Sequence, residues 1–339
     1  MTVGRDWPPV ADAHLDLLTE LWHRRHEETP FARHWLPKLR RGGVVLQVCP
    51  TFAADLDLLP ELALRRTLEQ VNAFRRCLRE TESQTIDIRW REDLDQLSRE
   101  NAIGLLLAME GVEALGYDPS LIDLFWELGV RIVGLTWNRR NAFADGADES
   151  GGLSTLGEQL VRRLEHLGAV VDLAHSSQAT FRDVLRVTTN APLIVSHAAC
   201  RAIFDHPRNL ADDQLRSLAA QGGIIGIMLL PFALDPSNPN AARAVDHIEH
   251  AVEVMGIDHV CLGSDFMHQL MLATGHRPPP SSNLPSEPDA AALDGIRGPE
   301  DYGLLAAALH DRGFKDTDLS ALMGGNLLRF LCHLPSGVQ

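Results

Sequence analysis

Short apolar runs alternate with longer amphipathic stretches along the whole chain, and this alternation limits the possible folds more than any other feature. The apolar runs are Val10–Asp16, Val44–Thr51, Ile103–Gly111, Val130–Trp137, Ala169–His175, Leu193–His197, Gly223–Leu230 and His259–Phe266. Most of them are apolar at nearly every position, which is typical of parallel strands buried on both faces. The sequence therefore predicts an α/β fold with a parallel sheet.

Amphipathic segments with helical periodicity lie between and after these runs. The predicted helices are Glu61–Arg79, Ser120–Leu128, Thr155–Leu167, Gln178–Val187, Asp212–Gln221, Ala241–Met255, Pro299–Arg312 and Asp316–Leu331. Ser154 and Gly168 flank one of them as an N-terminal cap and a C-terminal stop do. Eight strand–helix units favour a closed (β/α)8 TIM barrel forming a single domain over residues 1–339, with a doubly wound open sheet as the alternative.

Two segments interrupt the alternation, and each follows a predicted strand. Residues 20–43 are rich in histidine and arginine, and residues 267–298 contain five prolines. In a barrel both segments would lie on the catalytic face. We expect long loops here, acting either as a lid or specificity loop or as solvated insertions.

Charge limits the classes of partner. The chain has 31 Lys and Arg against 46 Asp and Glu, which gives a formal net charge of −15. Such a surface repels phosphate backbones and anionic membranes, so the expected partner is a small molecule rather than nucleic acid or a membrane.

The cysteines and the apolar segments indicate the compartment. The five cysteines are scattered and form no CxxC pair, as is usual in a reducing environment. The first residues lack the basic start and apolar core of a signal peptide, and the longest apolar stretch, 224–230, ends at Pro231. We expect a cytoplasmic protein.

Ionisable residues stand at the carboxyl ends of five predicted strands. They are His14, Asp16, Glu110, His175, His197 and Asp265. Barrel enzymes place their sites at these ends, and buried ionisable groups are costly unless they are paired or bind a metal. Because alternate residues of a strand point to the same side, His14 and Asp16 can converge on one ion. Imidazole and carboxylate together suit zinc, so the sequence predicts a metal site.

The number of ligands is sufficient for two metals. Glu110 has two oxygens and can bridge a metal held by His14 and Asp16 to a second metal held by the two histidines of the later strands. Two cations about 3.5–4 Å apart can hold a hydroxide and polarise a carbonyl, while Asp265 moves protons. The pattern favours a binuclear hydrolase, although a site that holds one metal would show the same residues.

Several short motifs occur together in a family-specific order. They are Asp12-Ala13-His14-Leu15-Asp16, Met109-Glu110-Gly111, Leu135-Thr136 with Asn138 through Asp145, Val171-Asp172-Leu173-Ala174-His175-Ser176, Ser196-His197, Asp205-His206-Pro207-Arg208-Asn209-Leu210, Gly263-Ser264-Asp265-Phe266 and Gly324-Gly325-Asn326. Through them nearly the whole chain resembles the renal (membrane) dipeptidases and their bacterial relatives. These are zinc hydrolases on an amidohydrolase-type barrel.

The resemblance implies a role for each matching residue. His14 and Asp16 would bind the first zinc, Glu110 would bridge, and His175 and His197 would bind the second zinc. Asp265 would be the acid/base partner of the bridging hydroxide. Arg208 would bind the substrate's terminal carboxylate, and its planar guanidinium suits that task. The expected activity is hydrolysis of the amide bond of a dipeptide-like substrate by a homodimer.

One departure from the family pattern affects the substrate pocket. Trp137 stands where family members usually have a histidine that contacts the substrate and stabilises the oxyanion. An indole donates one N–H, stays neutral and is bulkier than the imidazole of a histidine. His268 is a possible replacement donor, or else a loop histidine without a catalytic role. Two alternatives stay open: a zinc-binding pseudoenzyme, or a hydrolase of another amide or of a lactone.

Other residues near the motifs have weaker functional signals. Asn138, Asn141 and Asp145 either shape the pocket or, as side-chain bonding in loops favours, order their own loop. Cys200 follows His197 closely, and we expect a buried structural thiol rather than a nucleophile.

Overall fold

The strands close into a barrel. The computed structural model describes residues 7–53, 59–100, 102–275 and 287–337. Its parallel strands are β1 Val10–Asp12, β2 Val44–Phe52, β3 Thr85–Asp87, β4 Ile103–Glu110, β5 Val130–Gly134, β6 Val170–Asp172, β7 Leu193–Ala198, β8 Ile224–Ile227 and β9 Val260–Leu262. All except β3 pair in the cyclic order β1-β2-β4-β5-β6-β7-β8-β9, with β9 returning to β1. The predicted (β/α)8 barrel is confirmed, and the open sheet is excluded.

Helices surround the strands. They are α1 Leu17–His23, α2 Pro30–His34, α3 Leu36–Arg41, α4 Pro60–Glu80, α5 Arg91–Glu100, α6 Ile122–Glu127, α7 Thr155–Leu167, α8 Gln178–Val187, α9 Asp212–Ala220, α10 Pro231–Leu234, α11 Ala241–Met255, α12 His268–Thr274, α13 Tyr302–Arg312, α14 Asp316–Ser320 and α15 Asn326–Leu331. The Ser154 hydroxyl caps α7 by accepting the Gly157 N–H, and Gly168 ends it at φ +75°. The helix predicted over 316–331 is divided by a π-turn at 321–325.

Strand β3 and helix α5 were absent from the sequence prediction. Thr85–Asp87 pairs with Ile103–Leu105 of β4, just before β5 begins to pair with β4 at Leu107. Thus β3 and β5 share one edge of β4, and β3 stays outside the barrel ring. The strand is three residues long and partly exposed, so it leaves no apolar run in the sequence.

The two interrupting segments differ from the expected long loops. Residues 20–43 fold largely into α1, α2 and α3. Prolines at the starts of α2 and α3 and a left-handed Thr29 keep these helices too short for a periodic pattern. The second segment contains α12 and a 3-10 turn at Pro288–Ala291, while residues 276–286 lie outside the described residues.

The barrel interior has an apolar lower layer. Side chains such as Leu106, Ile132 and Ile194 point inward and form one cluster, and Phe330 and Leu331 of α15 join it. A second, larger cluster packs between the strands and the surrounding helices. This core holds the strand ends at fixed positions, as a site that draws residues from several strands requires.

Two glycines near the carboxyl end of the barrel lie against the backbone of β7. A Cβ added to Gly263 would lie 1.8 Å from the carbonyl oxygen of Ser196, and one added to Gly226 would lie 2.1 Å from the same oxygen. Real Cβ atoms essentially never come so close. Both positions therefore require glycine if β7 is to keep its place, and β7 carries His197.

Candidate metal centre

All six ionisable residues predicted as ligands or as the acid/base group meet at the carboxyl end of the barrel. Glu110 ends β4 and His197 lies within β7, while the other four follow their strands. His14 and Asp16 lie beyond β1, which ends at Asp12 rather than at Asp16 as predicted. The apolar run continues there because Ala13 and Leu15 are buried in the connection to α1, not because the strand is longer.

Two groups of side chains form around Glu110. In the first, Nε2 of His14 lies 3.8 Å from Oδ1 of Asp16 and 3.9 Å from Oδ1 of Asp265. In the second, Oε1 of Glu110 lies 2.8 Å from Nε2 of His175 and 3.5 Å from Nε2 of His197. The other oxygen of Glu110, Oε2, lies 3.7 Å from Nε2 of His14. Glu110 thus presents one oxygen to each group, as a bridging carboxylate must.

The histidines are neutral bases. Nδ1 of His175 lies 2.7 Å from Oδ1 of Asn138, an oxygen that only accepts, so Nδ1 carries the proton and Nε2 keeps its lone pair. Burial, together with the Arg208 cation, lowers the pKa of His14 to about 3. Burial also brings the pKa values of His175 and His197 well below their usual range. Neutral imidazole is the form that binds metals.

The carboxylates are crowded. Burial raises the pKa of Glu110 and of Asp265 well above the usual range, and the negative charge of Asp16 raises both further. No described residue hydrogen-bonds to Nε2 of His14. The site thus combines several lone pairs and acids with few donors, an imbalance that a divalent cation removes. The residues therefore fit a zinc-type metal, and both sets of three candidate ligand atoms, His14–Glu110–His197 and His14–Asp16–Asp265, lie within 4.8 Å of one another.

Two of the six residues have strained backbones. His175 has φ +61° and Asp265 has φ +54°. Residues other than glycine rarely adopt this left-handed region, which costs of order 1–3 kcal/mol each and occurs most often at functional sites. Aspartate and histidine are enriched among the exceptions, but the sequence pattern did not identify these two positions.

Arg208 and Trp137 flank the ligand groups. Arg208 is 6% exposed, and its Nη2 donates to the carbonyl oxygen of His197 at 3.3 Å. Within the part of the chain that the structure describes, Nε of Arg208 has no hydrogen-bond partner. Burial lowers the pKa of this guanidinium to about 10, although Glu110 and Asp265 act in the opposite direction. The Trp137 ring lies 5.9 Å from the ring of His175, so the indole stands beside the second group.

Three of the weaker candidates have other partners. Nε2 of His268 lies 3.1 Å from Oδ1 of Asp289, which favours the loop-histidine interpretation. Asn141 and Asp145 bind backbone atoms of their own loop. Burial raises the pKa of Cys200 to about 12, as expected for a structural thiol.

The residue motifs did not reveal two supporting side chains. Asn138 was predicted to order its loop, yet it fixes the tautomer of His175. The hydroxyl oxygen of Ser196 lies 2.9 Å from Nδ1 of His197 and 3.4 Å from Nδ1 of His14, so it connects histidines of the two groups. Such partners of the outer nitrogen orient ligating histidines. The only sequence signal was adjacency to a ligand, as in Ser196-His197.

Comparison with known proteins assigns the family. The family described as membrane dipeptidase, peptidase family M19, matches residues 6–276. The chain belongs to this family. Similar proteins include dipeptidase verJ of Clonostachys rogersoniana, which is 30% identical over 86% of this chain and 72% of its own length. Dipeptidase tcpJ of Claviceps purpurea is also 30% identical, over 86% of this chain and 66% of its own length.

Solved structures share the fold of this membrane dipeptidase family member. A metallo peptidase from Rhodobacter sphaeroides, liganded with a phosphinate mimic of L-Ala-D-Ala, has a TM-score of 0.85 at 23% identity, covering 97% of this chain and 100% of that chain. An amidohydrolase from Pseudomonas aeruginosa has a TM-score of 0.80 at 22% identity, covering 96% of each chain. The resemblance predicted from the motifs is confirmed: the chain is a metallopeptidase of the dipeptidase type.

Among the helices in the described ranges, none is both long enough and apolar enough to span a bilayer.

Proposed function

We propose that the chain is a dipeptidase that uses two zinc ions to cleave an amide bond in a dipeptide-like substrate with a free carboxylate. The position of Glu110 between the two ligand groups supports this proposal more than any other observation. His14 and Asp16 would hold the first ion with one oxygen of Glu110, and His175 and His197 would hold the second with the other oxygen. When bound, the ions would activate a water molecule and polarise the scissile carbonyl.

Arg208 would bind and orient the substrate. Its guanidinium is buried beside His197, and among the described residues its Nε has no hydrogen-bond partner. A planar fork of donors matches a carboxylate bidentately, and such a pair fixes the substrate's direction. A free terminal carboxylate distinguishes a dipeptide from an internal peptide bond, so this contact would select short substrates.

Asp265 would transfer the proton. Its carboxyl oxygen Oδ1 lies next to His14, and burial beside Asp16 raises its pKa well above the usual range. A carboxylate of raised basicity can accept the proton of the attacking water and deliver it to the leaving amine nitrogen.

Trp137 favours an alternative substrate or role. The indole packs edge-to-face against Phe52 at 5.5 Å, and its ring lies 5.9 Å from that of His175 in the second group. It offers one neutral N–H to a developing oxyanion, which is weaker help than a cationic donor. This favours, as the second candidate, a hydrolase of another amide or of a lactone, or a zinc-binding protein without dipeptidase turnover.

The deciding experiment is hydrolysis of a panel of L,L and L,D dipeptides by the zinc-loaded protein, beside Trp137→His and Trp137→Phe. Turnover by the wild type supports the dipeptidase. Turnover by Trp137→His alone shows a competent metal centre whose natural substrate lies elsewhere, and Trp137→Phe separates the loss of bulk from the loss of the N–H. In addition, Glu110→Ala should abolish zinc uptake and turnover together, and surviving turnover would contradict the site.

We also propose a cytoplasmic location and a homodimer. The free state of all five cysteines supports the location. The motif resemblance supports the homodimer, and sedimentation analysis would test it. The net charge of −15 supports a small-molecule substrate rather than a nucleic acid or membrane partner.

A further inference from the structure

Two buried aspartates accept hydrogen bonds from residues at or next to the ligand groups, and neither is among the proposed ligands. Asp12 ends β1 and is fully buried, while Asp172 ends β6 and is 6% exposed. A buried carboxylate is costly unless donors surround it. The donors that satisfy these two aspartates therefore indicate what each one does.

Asp12 joins the two segments that carry the first ligand group. Its Oδ1 accepts the backbone N–H of His14 at 3.2 Å and that of Ser264 at 2.9 Å. Its Oδ2 accepts the hydroxyl of Ser264 at 2.6 Å and that of Tyr302 at 2.7 Å. Ser264 immediately precedes Asp265. One side chain thus fixes the backbone at His14 and the residue before Asp265.

Asp172 makes the matching connection in the second group. Its Oδ1 accepts the backbone N–H of Ala174 at 2.9 Å and that of Ser196 at 2.9 Å. Ala174 immediately precedes His175, and Ser196 immediately precedes His197. The pattern repeats that of Asp12: a bond to the N–H two residues ahead, and a bond to the serine that precedes a site residue of the neighbouring strand, Asp265 for Asp12 and His197 for Asp172.

The hydrogen bonds of each aspartate connect two neighbouring strands of the barrel. Strands β1 and β9 are neighbours, and so are β6 and β7. Each pair of fixed segments also contains one of the two left-handed residues of the site, Asp265 or His175, whose conformation needs surrounding bonds to persist. We propose that Asp12 and Asp172 are positioning residues, each of which organises the ligands of one metal ion. This inference rests on the proposed function, because it requires two ions.

The test compares metal binding in Asp12→Ala and Asp172→Ala with the wild-type holoenzyme. Zinc stoichiometry and affinity are measured by competition with a chelator, and the coordination geometry is followed by the visible spectrum after cobalt(II) replacement. Loss of a residue that orients metal ligands costs about 10- to 100-fold in metal affinity. In each variant we expect the zinc affinity of one site to fall by this factor while that of the other site is unchanged. Only part of the cobalt spectrum should change.

Double variants identify which ion is affected. Asp12→Ala should add little to His14→Ala, because both act on the first ion, but should add fully to His197→Ala. Asp172→Ala should add little to His197→Ala and should add fully to His14→Ala. Asp12→Asn and Asp172→Asn keep the Oδ1 acceptor and should restore most of the affinity. If Asp12→Ala does not fold, Tyr302→Phe removes one bond to Oδ2 and should weaken the first ion alone.

Asp93→Ala is the matched control. Asp93 Oδ2 accepts the backbone N–H groups of Arg89 and Trp90 at 2.8 Å each, at the start of α5. This variant should lose thermal stability and keep both zinc affinities. Equal loss of affinity in the control, or two undiminished zinc sites in both alanine variants, overturns the inference and leaves the dipeptidase proposal standing. A wild type that binds fewer than two ions overturns the two-zinc proposal and this inference together.

Discussion

Replacement of Arg208 by alanine gives the most direct test of how the substrate is recognised. The guanidinium is buried, donates one N–H to the carbonyl of His197 and has an Nε without a hydrogen-bond partner among the described residues. It also lies in the field of Glu110 and Asp265, whose charges raise its pKa against the effect of burial. A terminal carboxylate would therefore bind through donors that are already oriented and already removed from bulk water.

The expected loss follows from the number of bonds. A hydrogen bond between charged groups contributes about 1.5–3 kcal/mol. Since the neighbouring carboxylates already neutralise part of the guanidinium charge, we take the lower value for each of two bonds. The total of about 3 kcal/mol corresponds to about 150-fold in kcat/KM. A terminal amide offers one neutral acceptor, whose bond contributes about 1 kcal/mol, or about fivefold.

The assay compares a dipeptide with its C-terminal amide, using wild type, Arg208→Ala and Arg208→Lys at matched zinc content. Arg208→Ala should lose about 30-fold more activity on the acid than on the amide, because about 2 kcal/mol separates the two effects. Arg208→Lys keeps the charge without the fork and should fall between the other two. Equal losses on acid and amide would refute a carboxylate contact and would assign Arg208 to the electrostatics of the metal centre.

Three further predictions concern the barrel and its buried groups. Gly263→Ala should lower the free energy of unfolding by about 1–3 kcal/mol, because a Cβ there meets the Ser196 carbonyl; a change below about 0.5 kcal/mol in urea denaturation would contradict this contact. Burial lowers the pKa of His247 to about 4, so the unfolded chain takes up the proton first, near pH 6.5. The contribution of neutral His247 to the free energy of unfolding is complete above that pH and is lost as the pH falls toward 4. The difference in unfolding free energy between wild type and His247→Gln should therefore shrink between pH 7 and pH 4.5. A constant difference contradicts the assignment. Cys332 is the one exposed cysteine of the five, so a thiol reagent should label one thiol in the native protein and five in denaturant; rapid labelling of more than one would show that the barrel opens.

Sequence alone predicts the barrel because its strands are buried on both sides. Runs such as Ile103–Glu110 and Leu193–Ala198 are apolar except for the site residues near their ends, and eight such runs favour a parallel sheet. Strand β3 lacks that constraint, since it pairs with one neighbour and is partly exposed. Short helices α2 and α3 were missed for a similar reason: each is too short to show a period of 3.6 residues.

In the candidate site, the sequence predicted the residue types but not their hydrogen-bond partners or backbone conformations. His14, Glu110 and His197 were predictable because their chemistry is unusual at a strand end. Asn138 was not recognised as a partner of His175, since an asparagine in a loop has many local bonding options. The left-handed backbone of Asp265 follows from its surroundings, which no single-residue pattern records.

The glycines at 226 and 263 restrict how this enzyme can change its specificity. Because the Ser196 carbonyl occupies the space that any side chain at those positions would need, neither glycine can be substituted unless β7 moves. Changes in substrate specificity are therefore expected in the loops at the carboxyl end of the barrel, which carry residues such as Trp137 and Arg208. Directed evolution toward new substrates should accumulate changes in these loops, while Gly226 and Gly263 stay constant.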